Sequence, residues 1–264
     1  MTSPRRPVAL VTGASSGIGA DLAREAARDG HDVVLAARRV APMEALAHEF
    51  ESQGAKATVI AADLAQPAAA AALTAEIADR GLTLDLLINN AGLGANGRFD
   101  ASDPARNAEM LQVNVVALTE LTRLILPGMV SRRRGRVMLV ASTAAFQPGP
   151  QMAVYCATKA YVLSFGEAIA YELRGTGVTV TALCPGATST NFSQVAETTE
   201  TSLFKSRLVP VMTSAEVARL GYRGLKAGRR VVIPGWTNKL VAFSGRLSQG
   251  FLSLPIANAM MSSR

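Results

Sequence analysis

Seven short runs rich in β-branched residues and leucine alternate along the chain with longer, alanine-rich segments of helical spacing. The runs lie at 7–12, 32–37, 56–62, 84–90, 135–142, 178–186 and 229–235. Each run is nearly continuous in apolar character, which is typical of strands that helices cover on both faces. Helices are expected at about 17–29, 41–53, 67–80, 104–130, 151–174 and 214–227. This βαβ rhythm predicts an α/β fold: a single doubly wound domain with a seven-stranded parallel sheet flanked by helices.

The composition is that of a globular protein, and its charge is unevenly spread. Of the 264 residues, 49% are hydrophobic and 18% charged, which supports a substantial core and excludes disorder as the main state. The net charge of +7 belongs to the C-terminal portion, where residues 205–264 carry ten basic side chains and the single acid Glu216. With 5% aromatic residues and no groove-reading motif beside these charges, no nucleic-acid partner is expected.

The two cysteines, Cys156 and Cys184, are too few for a disulfide framework and have no histidine neighbours at metal-ligand spacing. This pattern predicts a cytoplasmic protein without a metal site. The apolar run near the N-terminus gives way to glycines within five residues, so no signal peptide is expected. Nor is any uninterrupted apolar stretch long enough to span a membrane.

A glycine-rich turn, TGASSGIG, follows directly on the first predicted strand and leads into a helix. Glycines let the backbone approach a pyrophosphate, and the unpaired N–H groups of a helix N-terminus attract anionic oxygens. The order of strand, glycine turn and helix predicts a Rossmann-type dinucleotide site, with an ordinary tight turn as the alternative. The candidate cofactor-binding residues of this turn are Gly13, Ser15, Ser16, Gly17, Ile18 and Gly19.

The second predicted strand ends in LAARR. Ala37 stands where NAD sites usually place a carboxylate for the ribose 2′-hydroxyl, and Arg38 and Arg39 follow it. The planar guanidinium group suits bidentate contact with a 2′-phosphate, so the pair predicts NADP(H) in preference to NAD(H). Ser15 would add a hydroxyl contact. The alternative is a solvated pair of loop charges.

The spacing Gly-x-x-x-Gly-x-Gly, together with the motifs that follow it, resembles the short-chain dehydrogenase/reductase family. NNAG at 89–92 resembles its adenine-side motif, and PG at 185–186 its nicotinamide-side loop. Tyr155 and Lys159 complete its Tyr-x-x-x-Lys signature, and the order of the motifs is that of the family. The resemblance implies an NADP(H)-dependent oxidoreductase that interconverts a ketone and a secondary alcohol. The alternative is a nicotinamide-sensing regulator or scaffold on the same fold without turnover.

The resemblance also implies a role for each matching residue. Tyr155 is the acid/base, and Lys159 lowers its pKa through an ammonium charge. Ser142 orients the substrate oxygen, and Asn114 holds a water in a proton relay. Besides Arg38, Arg39 and the glycine turn, the implied cofactor contacts are Tyr155, Lys159, Asp63, Leu64, Asn90, Ala91, Gly92, Pro185, Gly186, Thr188 and Thr190. Each has a structural alternative, such as a helix cap for Asp63 or a packed aromatic for Tyr155.

The substrate side of the chain matches the family more loosely. In this family the pocket forms from the loops after the fourth and fifth strands and a variable segment, here 187–212, which is expected to act as a lid. The candidate pocket residues are Phe146, Met152, Phe192, Leu203 and Phe204. Their apolar character favours a lipophilic ketone or alcohol over a sugar.

Residues 1–235 are expected to form the catalytic domain, and 236–264 a C-terminal helical extension packed on it. One hypothesis is that the extension forms a pair of amphipathic helices at a membrane surface or at the entrance for an acyl substrate. The alternative is a subunit interface or a lid packed on the core. The resemblance further implies a homodimer or homotetramer.

Overall fold

The computed structural model describes residues 5–189 and 211–247 and contains the parallel sheet that the sequence predicts. The strands in chain order are β1 Val8–Thr12, β2 Asp32–Ala37, β3 Ala57–Ala61, β4 Leu84–Asn89, β5 Gly135–Val140, β6 Val178–Leu183, β7 Thr188–Ser189, β8 Met212–Thr213 and β9 Val231–Val232. Seven of them pair in parallel in the order β3-β2-β1-β4-β5-β6-β9, and β7 pairs with β8 alone. The predicted fold class is confirmed.

The helices follow the predicted pattern with one interruption. They are α1 Gly17–Arg28, α2 Val40–Ser52, α3 Ala69–Asp79, α4 Pro104–Leu111, α5 Leu118–Ser131, α6 Ala153–Glu172, α7 Ser214–Lys226 and α8 Trp236–Leu247. The single helix predicted at 104–130 is divided by a π-helical turn at Gln112–Ala117. Short 3-10 segments at Phe99–Ala101 and Thr143–Phe146 were not predicted.

Two helical layers cover the sheet, and alternate residues of each strand face opposite layers. In β1, Val8 and Leu10 pack in the core cluster that contains α3, α5 and α6, whereas Ala9 and Val11 pack in the cluster that contains α1, α2 and α7. This explains why the central strands read as continuous apolar runs. At the edge strand β3 only Ile60 is buried, because one side of an edge strand has no neighbour.

The helical run Pro104–Ser131 is, within the described residues, long and apolar enough to cross a membrane by length and composition. Its side chains Leu118, Leu121 and Met129 are buried in the core cluster beneath the sheet. Core packing therefore explains part of the apolar character of this run, whereas Leu111, Val116 and Leu124 are exposed.

The strand order reverses between β1 and β4, which lie side by side. In doubly wound sheets the loops after the two strands at such a point diverge and open a crevice for a ligand. The glycine turn follows β1 and the NNAG motif overlaps the end of β4. The predicted site residues therefore meet at the carboxyl edge of the sheet.

Candidate active site

Residues at the end of β4 hold the glycine turn after β1 in place through hydrogen bonds. The Asn90 side-chain amide donates to the carbonyl oxygens of Thr12 and Gly13, at 3.0 and 3.3 Å. In return, the Thr12 hydroxyl accepts from the N–H groups of Asn90 and Ala91, at 3.0 and 3.1 Å. The amide of Asn90 thus supports the turn itself. Sequence reasoning missed Thr12, whose only signal is a hydroxyl residue at the end of the first strand.

The geometry of the turn fits a dinucleotide pyrophosphate. Gly13 and Gly17 have positive φ values of 66° and 56°, and α1 begins at Gly17. A Cβ on Gly19 would collide with the carbonyl oxygen of Gly13 and the side chain of Asn90, so the first turn of α1 lies directly against the loop. Ile18 packs on the adjacent core cluster. A bound phosphate could therefore approach the backbone at the helix N-terminus.

The two arginines after β2 have different partners. Arg39 Nη2 donates to the hydroxyl oxygens of Ser16 and Ser15, at 2.9 and 3.3 Å, which places its charge over the glycine turn. Arg38 Nη1 lies 3.3 Å from a carboxylate oxygen of Glu109 on α4. Both guanidinium groups therefore stay near the carboxyl end of β2, where Ala37 supplies no carboxylate and that of Glu109 competes with a bound phosphate for Arg38 alone. Sequence reasoning missed Glu109, because a contact 71 residues away has no local signal.

Asp63 follows β3, and its carboxylate closes a turn. Its oxygens accept from the Ala65 N–H and from the Gln66 side-chain amide, each at 3.2 Å. The alternative role of Asp63 as a helix cap is wrong, because α3 begins only at Ala69 and its cap position is Ala68. The neighbouring Leu64 is buried in the core.

Helix α6 brings Tyr155 and Lys159 together beside the end of β5. The side chains of Tyr155 and Ser142 are hydrogen-bonded. Lys159 Nζ donates to the carbonyl oxygen of Val140 at 2.9 Å and lies 5.7 Å from the centroid of the Tyr155 ring. Gly92 lies close enough that a Cβ there would be 3.3 Å from Lys159 Nζ. A phenol, a hydroxyl and an ammonium group thus share one small region.

Burial controls the ionisation of this pair. It raises the pKa of Tyr155 to about 12, and the hydrogen bond with Ser142 opposes that shift. It also lowers the pKa of Lys159 to about 8. The pKa of Tyr155 in the protein without cofactor is therefore raised rather than depressed, because loss of hydration disfavours the phenolate. The effect of the Lys159 ammonium on the phenolate stays a prediction.

We expect the buried lysine to make stability depend on pH. The pKa of Lys159 is about 8 in the folded protein against an ordinary 10.5, so between these values the folded chain binds fewer protons than the unfolded chain. The free energy of unfolding should therefore rise with pH across this window. Urea unfolding at pH 8 and 10 should show a larger rise for the wild type than for Lys159→Met. Equal changes in the two proteins would contradict the assignment.

Asn114 lies in the π-helical turn, a local geometry that is often found at functional sites. Its buried amide group donates to Leu93 O at 2.9 Å and to the Thr158 hydroxyl at 3.0 Å, and it accepts from Leu93 N at 2.8 Å. Thr158 in turn donates to Tyr155 O at 2.7 Å. The Asn114 side chain therefore ties the loop after β4 to α6. Thr158 was missed, although it lies between Tyr155 and Lys159.

The turn after β6 is tied to the segment that follows Ser142. Thr143 N donates to Pro185 O at 2.8 Å, and Ser142 Oγ lies 3.5 Å from the same oxygen. Thr188 donates to Gly186 O at 2.9 Å and pairs with Met212 in the β7–β8 bridge. Of the predicted nicotinamide-side residues, Pro185 thus lies beside Ser142, and Gly186 and Thr188 follow it in the same turn. Thr190 lies outside the described residues.

The predicted pocket residues are divided between described and undescribed parts of the chain. Met152 is buried in a small apolar cluster that also contains Tyr155, Leu93 and Met110. Phe146 is buried in the main core cluster. The other candidates, at 192, 203 and 204, lie outside the described residues. Within residues 5–189 and 211–247, no cluster of three or more metal-ligating side chains occurs, and both cysteines are buried.

Comparison with known proteins gives concordant matches. Residues 7–201 match the family described as short chain dehydrogenase. The ketoacyl reductase HetN of Nostoc sp. is 33% identical over 226 residues, which cover 86% of this chain and 77% of that protein. A short-chain dehydrogenase from Sphingobium yanoikuyae in complex with NADPH has a TM-score of 0.80 and 33% identity, covering 94% of this chain and 95% of its own. A bulky-bulky ketone specific alcohol dehydrogenase from Comamonas testosteroni has a TM-score of 0.76 and 30% identity. The match covers 92% of this chain and 94% of that protein.

Proposed function

The chain belongs to the short-chain dehydrogenase family and is an oxidoreductase of that type with a nicotinamide cofactor, and from this premise we propose that it interconverts an apolar ketone and its secondary alcohol with NADP(H). The observation that carries the proposal is the cluster of Ser142, Tyr155 and Lys159 at the end of β5. A protein that only senses the cofactor has no need of a buried proton donor. The cluster therefore favours turnover over sensing.

The residues of this cluster divide the work of ketone reduction. The nicotinamide supplies the hydride when it is bound. Tyr155 gives its proton to the carbonyl oxygen as negative charge develops there. Ser142, which is hydrogen-bonded to Tyr155, provides a second donor to the same oxygen. The Lys159 ammonium stabilises the phenolate that remains.

The high pKa of Tyr155 suits the direction of reduction. A phenol with a pKa of about 12 is protonated at neutral pH and can act as an acid without a prior proton uptake. In the direction of oxidation the phenolate would have to form first. The rate of alcohol oxidation is therefore expected to rise with pH more steeply than the rate of ketone reduction.

The preference for NADP(H) is supported by the charges around the end of β2. Arg39 lies over Ser15 and Ser16, and Arg38 lies nearby in its pair with Glu109. A 2′-phosphate between these groups would receive charge-assisted hydrogen bonds. The related protein from Sphingobium yanoikuyae has NADPH bound, which agrees with this preference.

We expect Arg38→Asp to shift the cofactor preference toward NAD(H). One or two charge-assisted hydrogen bonds would be lost and a repulsive carboxylate added, so the ratio of NADPH to NADH specificity should fall about 10- to 100-fold. The measurement is kcat/KM for each cofactor. Arg80→Asp is the matched control, because Arg80 is also an exposed arginine in an ion pair, with Glu76, at the end of α3. An unchanged ratio in Arg38→Asp would exclude this role.

A substrate panel tests the proposed reaction. The Met152 cluster beside Tyr155 favours an apolar group next to the reacting carbonyl. HetN is a ketoacyl reductase and the Comamonas testosteroni protein acts on bulky ketones, so 3-oxoacyl thioesters and bulky apolar ketones are the first candidates. Loss of NADPH absorbance should occur with one of these classes and not with polar sugars. Tight NADPH binding without turnover on any of them would favour the sensing alternative.

A further inference from the structure

Helix α8 carries its large apolar side chains on the face turned away from the protein. Trp236, Leu240 and Phe243 are 72%, 57% and 64% exposed and recur at i, i+4 and i+7, so they form one stripe along the helix. The opposite face bears Asn238 and Ala242, which are both buried. An ordinary surface helix has the reverse arrangement, with its large apolar residues against the core.

The orientation of α8 is fixed by specific contacts. The Asn238 amide donates to Pro234 O at 2.7 Å and packs so closely on Gly186 that a Cβ there would collide with it. Ala242 belongs to the main core cluster. Because these small residues hold the helix against the turn after β6, the stripe of Trp236, Leu240 and Phe243 must face outward. A lid packed on the core, the alternative considered from the sequence, would bury that stripe.

The charge of the surrounding chain has one sign. Residues 227–264 contain five basic side chains and no aspartate or glutamate. One of the five, Lys239, is exposed on α8 directly before Leu240. A basic side chain beside a tryptophan-containing apolar stripe, in a segment without acidic residues, fits a membrane surface that has negative head groups above an apolar interior.

We propose that the stripe of Trp236, Leu240 and Phe243 docks on an anionic lipid bilayer as a peripheral contact. Tryptophan favours the interfacial region of a bilayer, and lysine and arginine pair with acidic head groups. A second copy of the chain is a poorer occupant, because it would bring two basic segments without acids face to face. The proposal does not depend on the proposed reaction.

The position of α8 gives the contact a consequence for access to the site. The helix packs against the 3-10 segment Thr143–Phe146, which directly follows Ser142. A bilayer against the stripe would therefore lie next to the catalytic end of the sheet. An apolar substrate dissolved in that bilayer would have a short path to Tyr155.

Trp236 makes the proposal directly measurable, because it is the only tryptophan of the chain. The full-length protein is titrated with vesicles of phosphatidylcholine alone and of equal parts phosphatidylcholine and phosphatidylglycerol. We expect a blue shift of the tryptophan emission and co-sedimentation with the acidic vesicles, both weaker with the neutral vesicles. Added salt should weaken the binding, because it screens the basic side chains.

The double variant Leu240→Ser, Phe243→Ser keeps the reporter and removes two apolar anchors. It should bind acidic vesicles at least about tenfold more weakly. Leu124→Ser on α5 is the matched control, since Leu124 is also half exposed, and it should bind like the wild type. Unchanged thermal unfolding of the double variant confirms that its fold is intact.

Three outcomes would overturn the proposal. The first is the absence of any emission shift or co-sedimentation with acidic vesicles. The second is equal binding by the wild type and the double variant. The third is a blue shift that depends on protein concentration without vesicles, which would show that a second copy covers the stripe. None of these readouts requires catalytic activity, so failure here leaves the proposed reaction untouched.

Discussion

Tyr155→Phe is expected to lower kcat for ketone reduction by about 10²- to 10⁴-fold while NADPH binding is largely retained. The substitution removes one hydroxyl group from a buried side chain and leaves the ring in its apolar cluster with Met152. Ser142 keeps its hydrogen bond from Ala144 N at 3.1 Å, so the second donor stays in place. The measurement is steady-state kcat with the substrate found in the panel, together with NADPH affinity by fluorescence.

The chain offers a matched control on the same helix. Tyr161 lies on α6, and its hydroxyl is 2.9 Å from the Thr119 hydroxyl at a half-exposed position. Tyr161→Phe removes the same atom away from the Ser142 cluster and should leave kcat close to that of the wild type. A near-normal rate in Tyr155→Phe would refute the mechanism.

Gly19→Ala is expected to disrupt cofactor binding through a single methyl group. The added Cβ would collide with Gly13 O and the Asn90 amide, so either the turn or the first residues of α1 must shift. Overpacking of this kind costs about 1–3 kcal/mol in stability, and the moved backbone would no longer fit a pyrophosphate. We therefore expect NADPH affinity to fall by about tenfold or more, as measured by fluorescence titration, with a lower unfolding midpoint.

Gly128→Ala provides the comparison for that substitution. Gly128 lies inside α5, and the nearest atom to an added Cβ is the flexible end of the Arg132 side chain, at 3.2 Å. Alanine is favoured over glycine within a helix by about 1 kcal/mol, so this variant should be as stable as the wild type or more so. If Gly19→Ala behaved like Gly128→Ala, the close approach of α1 to the turn would have no functional meaning.

Local sequence patterns were sufficient to predict the main sheet and the helices that cover it. The main-sheet strands and the helices up to α7 lie within about three residues of their predicted positions, because apolar periodicity is set by burial on each face. The glycine turn after β1 and the arginines after β2 were also predictable, because each is recognised from residues adjacent in the sequence. The cytoplasmic location, the division at residue 235 and the homo-oligomeric state stay predictions.

Features that depend on distant contacts were not predictable. The Arg38–Glu109 pair and the Asn90 brace join residues 71 and 78 positions apart. The pKa of Tyr155 is raised above its ordinary value, although a lowered pKa was expected. The sequence shows the Lys159 charge but not the extent to which Tyr155 is buried. Asp63 was assigned a helix-cap alternative from its position after a strand, whereas its side chain closes a turn that ends at Gln66, before the cap at Ala68.

The small β7–β8 bridge has an implication for how such a protein can change over generations. It pairs Thr188 with Met212 and Ser189 with Thr213, and a capping box between Thr213 and Glu216 fixes its second strand to α7. The residues directly before and directly after the segment 190–211 therefore lie next to each other. Because the entropic cost of closing a loop grows only slowly with its length, a change in the number of residues between Ser189 and Met212 is expected to add little to the entropic cost of folding. The number of residues between the two strands of the bridge can therefore vary among related proteins while the residues around Tyr155 stay the same.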